Sequence, residues 1–256
     1  MIQTIDLCKQ YGAFKAVDGV NLHVRPGEIF GFLGPNGAGK TTTIRMLIGL
    51  LQPTSGRVII NGKELARDPV AAKSVVGFIP DRPYLYEKLT GEEFLRFMGG
   101  LYGLDGGHDG DLAGRIDELL RFFDLLDWRR ELIESYSHGM KQRLVIASAL
   151  IHRPKAIIID EPMVGLDPRG ARLLKEAFKT LAREGVAIFM STHTLEVAEE
   201  MCDRLAIING GRIIASGTMD ELRLSSKTAD GAHLEDVFLS LCGAEDMKDI
   251  IQSLKL

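Results

Sequence analysis

Residues 34–41, which read GPNGAGKT, constrain the fold of this chain more than any other segment. They match the pattern G-x-x-x-x-G-K-[ST], and they lie between an apolar run at 28–33 and a helical pattern at 40–50. Glycines in such a loop let successive backbone N–H groups point at one anion, and the N-terminus of the following helix adds partial positive charge. The context predicts a strand, a phosphate-binding loop and a helix, in preference to a flexible turn that merely precedes a lysine.

The rest of the chain alternates between β-rich and helical segments. The further β-rich runs are 2–7, 20–24, 56–61, 74–79, 156–159, 186–190, 205–208 and 212–215. The further helical patterns are 91–101, 111–126, 168–182 and 195–201, with one or two short amphipathic helices in 234–256. The stretch from 84 to 152 contains no convincing strand. The alternation predicts an α/β fold with a mostly parallel, helix-covered sheet and a helical insert.

Composition narrows the class of protein. With 45% hydrophobic and 26% charged residues over 256 positions, the chain has the material for a sizeable core. A formal net charge of -4 provides no broad basic surface and argues against nucleic-acid binding. The three cysteines are far apart, so neither a disulfide framework nor a zinc site is indicated, and a reducing compartment fits best. No apolar run is long enough to span a bilayer and no secretory signal is visible, so direct membrane insertion is not expected.

A second chemical element is the acidic end of the run at 156–159. Asp160 and Glu161 follow three isoleucines directly, at the strand edge where open α/β sheets bind ligands. Because side chains alternate along a strand, the two carboxylates cannot face one atom. Asp160 is therefore expected to hold Mg²⁺, and Glu161 is expected to polarise the water that attacks a γ-phosphate. By itself such a pair is more often a solvated strand end, but the phosphate loop upstream favours the functional interpretation.

Residues 136–143, which read YSHGMKQR, lie shortly before this acidic pair. Together with the phosphate loop and the Asp-Glu strand end, in that order, they make the chain resemble the nucleotide-binding subunit of the ABC transporter family. The resemblance extends from about residue 2 to residue 224. It implies a P-loop NTPase core with a mostly parallel sheet, an N-terminal antiparallel β subdomain and an α-helical subdomain at about 84–152. The ATPase domain would occupy 1–224, followed by a short helical tail at 225–256.

The resemblance also implies residue roles. ATP and Mg²⁺ would be the ligands, with Lys40 reaching the β- and γ-phosphates and Thr41 binding the metal. The nucleotide would be bound by the loop residues Asn36, Gly37, Ala38, Gly39, Lys40, Thr41 and Thr42. Ser137 and the Gly139 amide would cover the γ-phosphate held by an opposite subunit, although the family usually has Leu-Ser-Gly-Gly-Gln here. N-capping of a helix is an alternative role for Ser137.

Four further sites correspond to features of the family, and one of them, Asp81, departs from its pattern. Asp81 stands where the family places a glutamine that approaches the metal, and an ionised aspartate accepts hydrogen bonds without donating any. His193 matches the switch histidine that orients the water of Glu161. Tyr11 is expected to stack on adenine, with an ordinary hairpin aromatic as its alternative. Residues 165–168, GLDP, match a loop at the dimer interface, although an N-cap followed by proline accounts for Asp167 and Pro168 equally well.

The resemblance predicts an ATP-hydrolysing subunit that pairs with itself or with a similar subunit around two ATP molecules and drives a separate membrane-spanning permease. The subunit would lie in the cytoplasm, on the inner face of the cell membrane. The tail at 234–241 favours export, because it is similar to the endings of bacterial exporter ATPases. The alternative is a soluble ABC ATPase that acts on nucleic acid or the ribosome, but long coiled coils and a second cassette are absent from the sequence.

Overall fold

Two sheets organise the molecule. The computed structural model describes residues 1–104, 112–161, 163, 167–226 and 233–242, and within these ranges ten strands and nine α-helices are present. The first sheet is antiparallel, in the order β2-β1-β4-β5, and contains β1 (Ile2–Tyr11), β2 (Phe14–Val24), β4 (Ser55–Ile60) and β5 (Lys63–Glu64).

The second sheet carries the core. Its order is β10-β9-β3-β8-β7-β6, and its strands are β3 (Ile29–Leu33), β6 (Val76–Ile79), β7 (Ala156–Asp160), β8 (Ala187–Ser191), β9 (Arg204–Asn209) and β10 (Arg212–Gly217). The pairs within β9-β3-β8-β7-β6 are parallel, and β10 returns antiparallel along β9. Every residue of β3, β7 and β8 is buried, as expected for parallel strands covered on both faces.

Helices cover both faces of the second sheet. They are α1 (Lys40–Leu47), α2 (Pro69–Lys73), α3 (Gly91–Leu101), α4 (Leu112–Phe122), α5 (His138–Leu150), α6 (Pro168–Arg183), α7 (Leu195–Met201), α8 (Met219–Ser226) and α9 (Leu234–Cys242). One buried cluster joins the sheet to α3–α6, a second joins it to α1 and the antiparallel sheet, and a third lies under α7–α9. Together the three clusters cover both faces of the second sheet.

Hydrogen bonds and ion pairs join the helices of the helical insert to one another. Thr90 and Glu93 form a reciprocal capping box that starts α3. The guanidinium of Arg129 lies 2.8 Å from Glu92 of α3 and 2.9 Å from Asp117 of α4, so one cation joins two helices. Among the described residues from 84 to 152 no strand forms, apart from an isolated bridge between Thr90 and Leu132.

The predicted fold class is confirmed by this architecture. The differences are local: β2 begins at Phe14 because that residue pairs with Tyr11 across a tight hairpin, and α4 ends at Phe122, just before Asp124 turns left-handed (φ 57°). The short elements β5, α2 and α8 were not predicted. The sequence also predicts a turn at 103–107 between the first two helices of the insert, and residues 105–107 of it lie outside the described residues, as do the start of the predicted helix at 111 and the tail from 243 to 256. The division of the chain at 224 stays a prediction.

Candidate functional site

The phosphate loop joins β3 to α1, and close backbone packing fixes its shape. Gly39 has a left-handed backbone (φ 110°), and a Cβ there would lie 2.5 Å from the carbonyl oxygen of Ala16. At Gly34 a Cβ would lie 2.3 Å from the carbonyl oxygen of Ile208. Since Cβ atoms do not approach oxygen so closely, both positions require glycine. The loop is thus a backbone cradle wedged between β2 and the end of β9.

Lys40 closes this cradle from the inside. Its Nζ donates to the carbonyl oxygens of Gly34 at 2.6 Å and Pro35 at 3.2 Å, so the ammonium lies over the loop. Burial lowers the pKa of Lys40, and the carboxylates of Glu161 and Asp160 partly oppose that shift. An ammonium held at this position, beside the backbone amides of the loop, suits the charge of a polyphosphate chain.

Asp160 ends β7 at the same edge. It is buried, and it accepts a short hydrogen bond from the hydroxyl of Ser191, its register partner on β8. Burial raises the pKa of Asp160; the Ser191 hydroxyl opposes this, and the negative charges of Asp81 and Glu161 add to it. A buried carboxylate surrounded by further carboxylates is stabilised by a cation, either Lys40 or a metal ion.

Glu161 turns away from Asp160 and contacts the end of β8. Its φ of 52° is left-handed, which is uncommon for a residue that is not glycine and is concentrated at functional sites. One carboxylate oxygen lies 2.8 Å from Nδ1 of His193, and the other accepts from the backbone N–H of His193 at 3.3 Å. Both oxygens of Glu161 therefore hold residue 193.

The remaining predicted residues are distributed around this group. Asp81 is exposed after β6 and close enough to act electrostatically on Asp160. Thr41 is exposed at the start of α1, and Tyr11 is half exposed at the hairpin end of β1, with the Lys9 ammonium 5.3 Å from its ring centroid.

Ser137 caps α5 and accepts from the Met140 N–H at 3.3 Å, so the capping role is present, and Gly139 is half-buried in the first turn of that helix. Asp167 likewise caps α6, whereas Gly165 and Leu166 of the same predicted loop lie outside the described residues.

Three residues of this region escaped the sequence reasoning. Ser191 and Thr192 are buried polar side chains at the end of β8, and Phe238 of α9 lines a cavity beside the phosphate loop. Ser191 had a recognisable signal, because it is the polar residue that ends the strand preceding His193. Phe238 had none, because its position depends on how the tail packs.

The donor set accommodates Mg²⁺ with help from water and phosphate. Within the described ranges, no group of three or more His, Cys, Asp or Glu side chains is arranged to hold a metal ion. Mg²⁺ usually keeps several waters and binds through one or two carboxylates plus substrate phosphates. Buried Asp160, whose raised pKa shows that a cation would stabilise its charged form, and the exposed Thr41 hydroxyl next to Lys40 in the chain fit that limited protein contribution.

The chain matches known proteins over most of its length. Residues 17–164 match the family model described as ABC transporter. The daunorubicin resistance ATP-binding protein DrrA3 of Streptomyces coeruleorubidus is 39% identical over 235 residues, which cover 92% of this chain and 72% of that protein. The bacitracin transport ATP-binding protein BcrA of Bacillus licheniformis is 40% identical over 224 residues, covering 87% and 71%.

Solved structures of ABC transporter ATP-binding subunits superpose on this chain. A structure described as the ATP-binding subunit of an ABC transporter superposes with a TM-score of 0.88 at 37% identity, covering 94% of this chain and 99% of that one. A bacterial ABC transporter cassette solved as a dimer gives 0.76 at 26% identity, covering 86% and 99%. In the described part of this chain, no helix has the length and apolar character that crossing a membrane requires.

Proposed function

This chain belongs to the ABC transporter family as an ATP-binding, ATP-hydrolysing subunit, and from that premise we propose that two such subunits close around two ATP molecules to drive export through a separate membrane-spanning permease. The observation that carries the proposal is the Glu161–His193 pair, 2.8 Å apart, at the strand ends beside the phosphate loop. The alternative of a soluble ATPase acting on nucleic acid or the ribosome is not favoured by these relatives.

In the proposed site, the phosphate loop holds the substrate. The amides of residues 36–42 and the Lys40 ammonium bind the phosphate chain, and the exposed Tyr11 ring stacks on adenine. Thr41 and Asp160 would hold Mg²⁺, and Asp81, which acts electrostatically on Asp160, would add negative charge to the same site. When bound, Mg²⁺ neutralises charge on the phosphates. The fit rests on the close-packed glycine cradle and on the buried carboxylate of Asp160.

Glu161 and His193 form the hydrolytic pair. The Glu161 carboxylate accepts a proton from the attacking water while the oxygen of that water bonds to the γ-phosphorus and the bond to ADP breaks. The left-handed backbone of Glu161 directs the carboxylate toward residue 193, and His193 orients it and donates to the γ-phosphate. The buried Asp160 bonds to Ser191, whereas His193 orients Glu161, and each Glu161 oxygen has a second lone pair that can accept from the water.

The dimer supplies what one chain lacks. At the start of α5, Ser137 is exposed and Gly139 is half-buried, so both can meet a phosphate held by another subunit. A hydroxyl and backbone N–H groups at a helix N-terminus suit an anion. The partner is a second copy or a similar ATPase subunit, and Asp167 lies in the loop proposed to cross the interface.

The permease contact is proposed at the start of the helical insert. Tyr84 is 77% exposed and Tyr86 is 60% exposed, whereas Leu85 packs partly against the core. Tyr86 meets Phe97 of α3 edge to face at 5.5 Å, which leaves an aromatic surface at the junction of sheet and insert. The subunit would thereby be peripheral on the inner face of the cell membrane. Relatives named for daunorubicin resistance and bacitracin transport support export.

The Glu161→Gln variant tests the hydrolytic assignment. Because an amide cannot accept the proton of the water, we expect turnover to fall at least ~100-fold while Mg-ATP binding persists and a long-lived ATP-bound dimer accumulates. Phosphate release and analytical size exclusion with ATP measure the two effects. Glu184→Gln changes an exposed carboxylate at the end of α6, and this control should behave as the parent does. Normal turnover by Glu161→Gln would contradict the proposal.

Co-purification from detergent extracts tests the partner. We expect the tagged chain to recover a polytopic membrane protein, and the Tyr84→Ala/Tyr86→Ala double variant to lose it without loss of ATP hydrolysis. Recovery with ribosomes, and not with a membrane protein, would contradict the transporter role.

A further inference from the structure

The C-terminal helix α9 is packed onto the elements that lead into and out of the nucleotide site. Leu234 and Val237 are fully buried in one apolar cluster with Leu33, the residue that precedes the phosphate loop, and with Ala198 of α7. Helix α7 begins two residues after His193. Helix α9 therefore packs against the residue that precedes the phosphate loop and against the helix that follows His193.

A carboxylate on α7 fixes the start of α9. Glu199 accepts from the backbone N–H of Leu234 at 3.3 Å and lies 3.5 Å from the His233 ring, while its other oxygen lies 3.2 Å from the guanidinium of Arg223 on α8. An acidic group at a helix N-terminus is favourable because it meets the positive end of the helix dipole. Polar contacts thus reinforce the apolar packing of α7, α8 and α9.

Phe238 extends from this helix to the site itself. A cavity of about 300 Å³ is lined by residues 34–36 of the phosphate loop, by Thr192, His193 and Leu195 after β8, and by Phe238. His193 is 64% exposed, and Glu161 contacts both its ring and its backbone N–H. The histidine that the carboxylate holds also lines a cavity to which α9 contributes an aromatic wall.

We propose that Phe238 is a positioning residue for hydrolysis: by walling this cavity, it keeps the segment 192–195 and the His193 ring in the orientation that Glu161 requires. The inference rests on the proposed function of Glu161 and His193. Although residues 34–36 of the phosphate loop line the same cavity, their shape is fixed by packing against β9, so Phe238 acts on hydrolysis through His193 and not on nucleotide binding. Loss of the ring should therefore slow turnover with little effect on the affinity for ATP.

The first test compares Phe238→Ala with Leu239→Ala in the full chain. Leu239 is the neighbouring, more exposed residue of α9 and does not line the cavity. We expect Phe238→Ala to lower kcat about tenfold with KM for ATP changed by less than about twofold, because small misplacements of catalytic groups cost one to two orders of magnitude. Phe238→Leu should recover most of the lost turnover, and Leu239→Ala should change neither constant.

A readout without nucleotide separates this inference from the proposed function. In spectra of the protein labelled with ¹⁵N-histidine, the His193 ring resonance, assigned with a His193→Ala variant, should move in Phe238→Ala and stay in Leu239→Ala. An unmoved resonance with unchanged kcat in a folded Phe238→Ala protein would overturn the positioning role. Absence of ATP hydrolysis by the parent protein would instead contradict the assignment of the site, and the resonance test would still decide the role of Phe238.

A second variant covers the case in which Phe238→Ala does not fold. Glu199→Gln keeps the size of the side chain but weakens its hold on the start of α9. We expect the same division between kcat and KM with a smaller loss of about two- to threefold, and a smaller shift of the His193 resonance. A proportional loss of kcat and of ATP affinity in Glu199→Gln would show that α9 supports the whole fold, which overturns the specific role of Phe238.

Discussion

The sheet edge and the helical insert handle their polar groups in opposite ways. At the sheet edge Asp160, Ser191 and Thr192 are buried and hydrogen-bonded, and Lys40 lies over the phosphate loop. In the insert, of the two predicted phosphate contacts, Ser137 is exposed and Gly139 is half-buried. A buried polar arrangement is complete within one chain, whereas an exposed one has its function in what it meets. The comparison supports two half-sites. One, the phosphate loop and the strand ends beside it, is complete within one chain, and the other, at the start of α5, needs a partner subunit.

The two helix N-termini sharpen this contrast. Helix α1 begins after Gly39, which has no side chain to act as a cap, while α5 begins after Ser137, whose hydroxyl accepts from the Met140 N–H. The amides at the start of α1 therefore have no side-chain competitor for an anion from the N-cap position. At α5 the cap hydroxyl accepts from the Met140 N–H and can still donate its own O–H to a phosphate. The first half-site is preorganised to bind an anion within its own chain, and the second presents a donor to a phosphate held by another subunit.

The largest expected effect is at the preorganised half-site. Gly39→Ala adds a Cβ 2.5 Å from the Ala16 carbonyl oxygen at a φ of 110°. Left-handed strain and overpacking together cost about 2–5 kcal/mol, and the loop relieves them by leaving its anion-binding shape. We expect affinity for Mg-ATP to fall more than ~100-fold, measured by titration calorimetry.

Gly185→Ala is the matched control for that change. Gly185 is also left-handed (φ 94°), but a Cβ there has no atom within 4 Å, and it lies at the far end of α6. It should lower stability by about 1 kcal/mol and leave ATP affinity unchanged. Equal affinities of Gly39→Ala and Gly185→Ala for ATP would show that the close packing at Gly39 does not govern nucleotide binding.

The next effect is at the half-site that needs a partner. Ser137→Ala should lower turnover about 100-fold, the usual effect of removing one donor to developing charge, and should cost the helix about 1 kcal/mol of capping. Affinity of the isolated subunit for ATP should be unchanged. Ser135→Ala, which removes a nearby hydroxyl bonded to the Leu132 carbonyl, is the control and should retain turnover.

Mixing the two variants tests the comparison directly. Gly39→Ala subunits keep an intact α5, and Ser137→Ala subunits keep an intact phosphate loop, so a mixed dimer contains one complete site. We expect phosphate release by the mixture to exceed that of either variant alone. No recovery on mixing would contradict the assignment of the half-sites to different subunits.

The sequence could predict the features of the site that rest on local patterns, but not those that depend on packing between distant segments. The phosphate loop, the strand ending in Asp160 and Glu161, and His193 have local patterns, and the parallel sheet necessarily brings their strand ends to one edge. The left-handed backbone of Glu161, the Ser191–Asp160 bond and the wall made by Phe238 depend on register and on packing between distant segments. Tyr136, which departs from the family pattern, is buried and donates to the Trp128 carbonyl, so its role is structural.

The smallest effect on activity is expected where the insert joins the sheet. His152, just after α5, stacks on Tyr102, just after α3, with ring centroids 3.6 Å apart, and its Nε2 lies 3.1 Å from the carbonyl oxygen of Val76 on β6. Burial lowers the pKa of His152 to about 4. Because the ordinary pKa of histidine is near 6.5, between about pH 6.5 and pH 4 the unfolded chain binds a proton that the folded chain does not. The free energy of unfolding therefore decreases as the pH falls through this range.

His152→Gln keeps a hydrogen-bond donor and removes the titration. At acidic pH, protonation of His152 should lower the free energy of unfolding of the parent protein by no more than about 3 kcal/mol. In urea denaturation, the variant should lack this part of the decrease. His23→Gln, at an exposed position of β2, should retain the pH dependence of the parent. Turnover at neutral pH should be unaffected in both, because His152 is neutral there and joins the two regions without belonging to either half-site. If His152→Gln and the parent lost stability equally across this range, the junction would not depend on a neutral imidazole.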